Sequence, residues 1–361
     1  MKKKEAVTRR RFLKKVSSHV GAGVIATPLL ASDNTENTAP VEKKNRLPRE
    51  VWVASIELRD FSSEKTTETR LNNILVRMER VAGLQPDIIC LPETFNIYSV
   101  QEKKPLEEVA EDERIPGPVT SRIAEFAKKH NCYIVCPIIT RNDGRYYNSG
   151  ILIDRKGRIS GVFHKVHPDK AEIVPESYYE GGGITPGPVR PPVFETDFGK
   201  IGMQIGFDAN WFESWDHLKN DGAEIVFFPS WIPSGRMLNF HAWKNGYHIV
   251  SSSVGDARII DISGVNIQTS SFQLGCTWAS LNLEKEFMPG YLTSSKISSI
   301  FNKYGRRLGV KVYKDTGGTG CMTFESLDPD LKVLDVLREF EIPRYMEEVK
   351  MGKEIQDKHR P

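Results

Sequence analysis

Short apolar runs alternate with amphipathic stripes along most of this chain, and that alternation constrains the fold more than any other feature. VWVASIEL (51–58) reads as a first strand. Leu71, Ile74, Leu75, Met78 and Val81 then repeat at three and four residues, the stripe of an amphipathic helix. DIICLPE (87–93) is a short apolar strand ending on a proline and an acid. Val119, Ile123, Phe126 and Ala127 mark a second helix, and CYIVCPII (132–139) is a buried strand. A hairpin over about 146–165 turns at Lys156-Gly157, and a polar loop rich in Gly and Pro follows over about 166–192. Strands near 193–196 and 201–206, a helix near 210–221, the strand EIVFFP (224–229) and a helix over about 236–247 come next. IVSSSV (249–254), ARIIDI (257–262) and CTWASLNL (276–283) close the series. Strands alternating with helices, with hairpins mixed in, predict a layered α/β fold with a mixed sheet.

The two ends differ from this body. Residues 1–15 hold eight Lys or Arg against Glu5 alone, and 16–31 hold no Lys, Arg, Asp or Glu, so the formal charge of +3 less this +7 leaves −4. A mildly acidic body gives no electrostatic reason to expect nucleic acid. Thr8-Arg9-Arg10-Arg11-Phe12-Leu13-Lys14 resembles a twin-arginine export pattern, and the apolar stretch Val16 to Ala31 is too short and too polar for a good membrane span. The reading is a signal at 1–31, a polar linker at 32–48 and a periplasmic or extracellular destination, with the twin-arginine machinery as a partner. The main domain spans 49–284. Residues 285–361 read as a helical extension, an oligomer arm or a cap.

All five cysteines read as free, buried and structural. Cys132 and Cys136 lie on one side of a buried strand, and Cys90 lies in an apolar run. No cysteine pair has zinc-site spacing with a matching His.

Three segments carry chemistry. Leu91-Pro92-Glu93-Thr94-Phe95 places a carboxylate just past a buried strand, where α/β folds put their sites. Phe163-His164-Lys165-Val166-His167-Pro168 places an ammonium at a strand end before a long loop. Residues 199–213, with Gly206-Phe207-Asp208 at their centre, read as a turn, a strand, a sharp elbow and a helix start. In this order and at these separations, the three resemble the nitrilase-like carbon–nitrogen hydrolases over roughly 50–284. Glu176, the Gly-Ile-Thr-Pro-Gly run at 183–187, Phe-Phe-Pro-Ser at 227–230 and Arg-Ile-Ile-Asp-Ile-Ser-Gly at 258–264 extend the match.

The resemblance implies an α-β-β-α sandwich, commonly paired in a homodimer or higher oligomer, with no metal and no cofactor. It implies that Glu93 is the general base, Lys165 the oxyanion-stabilising lysine and Glu176 a second glutamate that positions lysine and substrate. Phe207 and Trp231 are candidates for lining a substrate pocket, and Trp211 for packing under the elbow.

The departure is at the nucleophile. Where the family has a cysteine before an aromatic residue and Asp, this chain has Gly206. No thioester forms on glycine. Several routes stay open: attack by Cys90 or Cys276, attack by water with Glu93 as base, or an active enzyme altered by the single base that separates a cysteine codon from a glycine codon. The function implied is action on a non-peptide C–N bond of a small amide, ureide or carbamoyl compound. The alternative is a non-catalytic periplasmic binder of a small amide or carboxylate. Loops 94–117 and 166–192 are where such specificity would reside.

Overall fold

The structure is a computed structural model and describes residues 47–58, 64–174, 182–271, 273–313 and 320–361. The segment read as an export signal, most of the segment read as a linker, and Glu176 lie outside the described residues.

From the amino end, β1 (Glu50–Ile56) leads to α1 (Thr67–Ala82) and β2 (Ile88–Cys90). The Thr66 hydroxyl caps α1 by accepting from the Thr69 N–H at 3.2 Å. Of the apolar stripe on α1, Leu71, Ile74, Met78 and Val81 are buried, and Leu75 packs at its edge. β3 (Glu111–Asp112) precedes α2 (Pro118–His130), which starts on a proline and stops at Asn131 in the left-handed region. Then come β4 (Tyr133–Asn142), β5 (Arg145–Ile153), β6 (Ile159–His164) and the one-turn α3 (Lys170–Ile173). β7 (Phe194–Glu195) and β8 (Lys200–Met203) end in a 3₁₀ turn at Gly206–Asn210. α4 (Glu213–Asn220), β9 (Ile225–Pro229), α5 (Arg236–Asn245), β10 (His248–Ser252), β11 (Ala257–Ile260), β12 (Asn266–Thr269) and β13 (Cys276–Asn282) complete the body.

Two mixed sheets result. The first runs β13-β1-β2-β4-β5-β6, with β3 against β4; the second runs β12-β11-β10-β9-β8-β7. β1, β2 and β4 are parallel neighbours, as are β8, β9 and β10. Alternation within strands divides the core. Val51 and Val53 of β1 join Ile88, Cys90, Val135, Ile201, Met203, Ile225 and Phe227 between the sheets. Ala54 and Ile56 face outward onto α1 and α2 with Ile74, Met78, Ile123 and Phe126. On the other side, Val226, Phe228 and Ile249 pack with Trp215, Leu218 and Leu238 of α4 and α5. The layers are therefore helix, sheet, sheet, helix, the sandwich expected from the resemblance. Each such fully buried side chain contributes about 1.5–3 kcal/mol. Cys132 and Cys136 share the outer core, and Cys90 the inner one.

The last segment differs from the sequence expectation of a helical extension. It contains helices α6 (Ser294–Tyr304), α7 (Val333–Glu339) and α8 (Tyr345–Lys358), but also β14 (Lys285–Pro289), β15 (Leu308–Tyr313) and β16 (Cys321–Ser326), a sheet ordered β14-β16-β15. Met288, Ile300, Phe324, Val333, Val336 and Leu337 form its own core. No helix among the described residues is long and apolar enough to cross a membrane.

Candidate functional site

The carboxyl ends of β2, β8 and β9 each lead into a segment that lines one pocket. Glu93, Gly206 and Trp231 stand two to three residues past those ends, and Lys165 stands one residue past β6. They line a pocket of about 670 Å³, with Asp169 and Glu172 among its other charged residues.

At its base, Glu93 and Lys165 are 4% and 3% exposed. Lys165 Nζ donates to Glu93 Oε1 at 2.8 Å and to Glu172 Oε2 at 2.6 Å. Asn148, on β5, closes the ring: its Nδ2 donates to Glu93 Oε1 and to Glu172 Oε1, each at 2.8 Å. The other Glu93 oxygen accepts from the Trp231 backbone N–H at 3.0 Å. The Trp231 indole N–H reaches the Glu93 carbonyl at 3.1 Å and Thr94 Oγ1 at 2.7 Å, so the Trp231 loop clamps the turn that carries Glu93.

Electrostatics follow from burial and charge count. Burial pushes the Glu93 carboxyl up; Lys165 offsets this in part, and Glu172 adds to it. Burial alone would favour a neutral Lys165, but two carboxylates outweigh it and hold the ammonium charged. The cluster thus presents one firm cation between two acids.

Glu172 is the charged residue that sequence reading missed. The resemblance assigned the second glutamate to Glu176, which lies outside the described residues; among the described ones, Glu172 is the second glutamate beside Lys165. A local signal was present. Asp169 and Glu172 form a capping box at α3, with the Asp169 N–H donating to Glu172 Oε2 at 2.7 Å. That box fixes Glu172 next to Lys165. Asn148 carried no comparable signal, because a strand asparagine reads as a solvated residue.

The elbow is held by Asp208. Its carboxylate accepts from the Ile205 N–H at 2.9 Å and from the His167 N–H at 2.7 Å, and its carbonyl accepts from the Trp215 indole at 2.9 Å. Trp215, fully buried, is the aromatic packed under the elbow. Trp211, expected there, instead stacks on His167 at 4.1 Å and is 38% exposed, because the helix start is delayed to Glu213 and turns Trp211 outward. Gly206 has φ +49°, a conformation costly to other residues. A Cβ there would stand 2.7 Å from Glu93 Oε2, so the carboxylate fills the space in which a side chain would root.

No cysteine is among the described residues lining the pocket. All five are free and buried. Burial pushes the Cys90 thiol far up, the opposite of what a nucleophile needs. Phe207 and Trp231 both line the pocket, Phe207 with 42% exposure.

Comparison with known proteins places this geometry. β-Ureidopropionase of Arabidopsis thaliana is 34% identical over 156 residues, 42% of this chain and 36% of that protein, so the chain spans about a third of that relative's length. N-carbamoylputrescine amidase of Solanum lycopersicum is 28% identical over 299 residues, 76% of this chain and 93% of that protein. The crystal structure of Saccharomyces cerevisiae Nit3, a member of branch 10 of the nitrilase superfamily, superposes with a TM-score of 0.55 at 18% identity, covering 73% of this chain and 97% of that one. The carbon–nitrogen hydrolase family model matches residues 53–284. That stretch takes in both sheets of the sandwich and every strand that carries the cluster, and the chain belongs to the carbon–nitrogen hydrolase family.

Proposed function

We propose that this pocket takes a small amide, ureide or carbamoyl compound, and that the chain does not turn it over through a thiol. The observation that supports the reading is Gly206: at the position that the family resemblance assigns to the attacking cysteine there is no side chain, and the Glu93 carboxylate lies against it. Loss of a nucleophile costs about 10⁶-fold in rate in a serine hydrolase. The ligand's carbonyl oxygen accepts from Lys165, and its N–H groups face the Glu93 and Glu172 carboxylates. The two plant relatives, named for a ureido and a carbamoyl compound, support that chemistry. The protein then acts as a binder built on a hydrolase fold.

The test uses mature protein and its Gly206→Cys variant against a panel of small amides, ureides and carbamoyl compounds. The expected result is ligand-dependent thermal stabilisation of the natural protein without released ammonia or amine. Turnover by Gly206→Cys alone fits a site that has lost its nucleophile. That variant must first shift the Glu93 carboxylate, whose Oε2 would lie 2.7 Å from the new Cβ.

One observation favours a second reading. Glu93 lines the pocket beside a residue without a side chain, so a water that enters the pocket with the ligand can reach its carboxylate. Glu93 would take a proton from that water as its oxygen bonds to the carbonyl carbon, and would return the proton to the nitrogen as the C–N bond breaks and the amine leaves. Ammonia or amine release by the natural protein that Glu93→Gln abolishes would establish this reading over the first.

Export through the twin-arginine route is part of the same proposal. It is supported by Thr8 to Lys14 and tested by Arg9→Lys with Arg10→Lys, which is expected to retain the precursor inside the cell. Homo-oligomer formation is proposed on the family resemblance and tested by light scattering of the mature protein.

A further inference from the structure

The third sheet runs β14-β16-β15, so β15 is an end strand, and among the described residues nothing pairs with its outer side. Along an antiparallel strand, successive residues turn their N–H and C=O groups to alternate sides. The Leu327 N–H donates to the Arg307 carbonyl at 2.9 Å, and 307 stands opposite 327, one step beyond the Leu308↔Ser326 pair of the ladder. Arg307, Gly309, Lys311 and Tyr313 therefore bond inward to β16. Leu308, Val310 and Val312 turn their backbone groups outward.

The side chains of these outward-turned residues continue the core of the last segment. On β16, Phe324 stands opposite Val310 and Met322 opposite Val312. Exposure rises across each row, from 1% at Phe324 to 38% at Val310, and from 4% at Met322 to 59% at Val312. The core thus runs to the edge of the sheet with no strand to cover it. Edge strands are usually guarded by proline, a bulge or charge. β15 has no proline, its register with β16 has no irregularity, and its single lysine, Lys311, lies on the opposite face from Val310 and Val312. The other end strand, β14, finishes on Pro289 and buries Phe287 and Met288.

We propose that β15 pairs antiparallel with β15 of a second copy of this chain, about a two-fold axis at Val310. The edge is complementary to itself in this register. Val310 meets the partner's Val310, Leu308 meets the partner's Val312, and Lys311 meets the partner's Gly309, which leaves room for the lysine stem. The apolar row then runs from Phe324 through both valines to the partner's Phe324. A two-fold axis at Lys311 would set two like charges directly opposite, which destabilises a strand pair. The contact is the same patch on both copies and uses up both open edges. The carbon–nitrogen hydrolase match stops at residue 284, so the family likeness assigns nothing to β15. What the pocket holds does not enter into this contact.

The test sizes the mature protein by sedimentation equilibrium over a concentration series, because a single strand pair is a small interface. Val310→Lys places two ammonium groups opposite each other at an exposed position. It is expected to lower the mass at the top of the series about twofold or more, with thermal unfolding showing that the fold is kept. Cysteine variants then read the register. Two Val310 Cα atoms would stand about 5.5 Å apart, within reach of a disulfide. Two Val312 Cα atoms would stand about 14 Å apart. The five natural cysteines are buried. With a mild oxidant, Val310→Cys is expected to give a linked dimer on a non-reducing gel, and Val312→Cys is not. A natural protein that stays monomeric throughout the series overturns the inference. So does a mass that Val310→Lys leaves unchanged, or cross-linking at Val312→Cys equal to that at Val310→Cys. No pocket ligand is used in these measurements, so the pocket reading and this one fail separately.

Discussion

Two buried clusters in this protein pair a lysine with carboxylates, and they do different work. In the pocket, Lys165 faces two glutamates, and burial raises Glu93. Where the third sheet meets the second, Lys285 donates to one acid, Asp261, at 2.6 Å, with Glu325 as its cross-strand neighbour farther off. Asp261 also accepts from Ser263 Oγ at 2.6 Å and Tyr313 Oη at 3.1 Å, and lies 4.0 Å from His248. Burial opposes its charge, but Lys285 and these donors outweigh it and hold the carboxyl well below the usual range. One cluster has more acid than base and opens on a cavity; the other is balanced and closed. The difference teaches that a buried Lys–acid pair is a site where charge is left over, and a fastening where none is.

Four experiments break or sharpen that comparison. The largest effect is expected from like-for-like neutralisation. Asp261→Asn leaves Lys285 buried without a counter-charge and should cost about 3–5 kcal/mol of unfolding free energy. Glu93→Gln should cost under about 1 kcal/mol, because burial already disfavours its charge and Lys165 keeps Glu172. Denaturant titration decides it; equal losses would end the comparison.

Next comes acid. Burial holds His248 down to about 4, with Asp261 opposing the shift and Lys285 adding to it, and holds His241 down to about 4. Below their unfolded values the unfolded chain binds more protons than the folded one, so stability falls as pH drops from about 6.5 to about 4. A loss on the order of 3 kcal/mol per histidine sets the scale. His248→Asn should remove about half of that slope in a series of denaturant titrations, and an unchanged slope would show that His248 does not titrate in this window.

Glu172→Gln should weaken butylurea by about tenfold, measured by calorimetry, through loss of one charge-assisted hydrogen bond. Its cost in stability should stay near 1 kcal/mol, the value of the α3 cap. A stability loss as large as that of Asp261→Asn would make the pocket ring a fastening too. The smallest effect is Gly206→Ala. Its positive φ costs about 1 kcal/mol in thermal unfolding, and its Cβ pushes against Glu93. Butylurea binding should weaken with it; unchanged affinity would mean that the Glu93 position does not matter for the ligand.

Much of the sandwich was legible because its signals are local. The α1 stripe, the alternation in β1 and the apolar runs at β2, β4 and β9 each declare an element without reference to any other. β12 was not legible, since all four of its residues are exposed and carry no pattern. β15 and β16 were missed because their apolar residues have a purpose only against α6 and α7, which come from separate stretches of chain. In the site, Glu93 and Lys165 were found by their places after apolar strands. Glu172 was found only by its contact with Lys165, although the capping box at Asp169 was written in the chain. Trp215 rather than Trp211 packs under the elbow because the helix begins three residues past the elbow turn.

The sequence by itself determined a layered α/β fold, the order of most elements of the body, the chemistry of the strand-end residues and the absence of a side chain at Gly206. These are properties of residue type and spacing, readable one segment at a time. Only the tertiary structure decided that Glu93 fills the space beside Gly206, that Asn148 and Glu172 complete the ring around Lys165, and that Asp169 is left facing a cavity. Those facts depend on distances between residues such as Glu93 and Lys165, 72 positions apart, and separations of that kind are set by how the two sheets pack rather than by either strand alone.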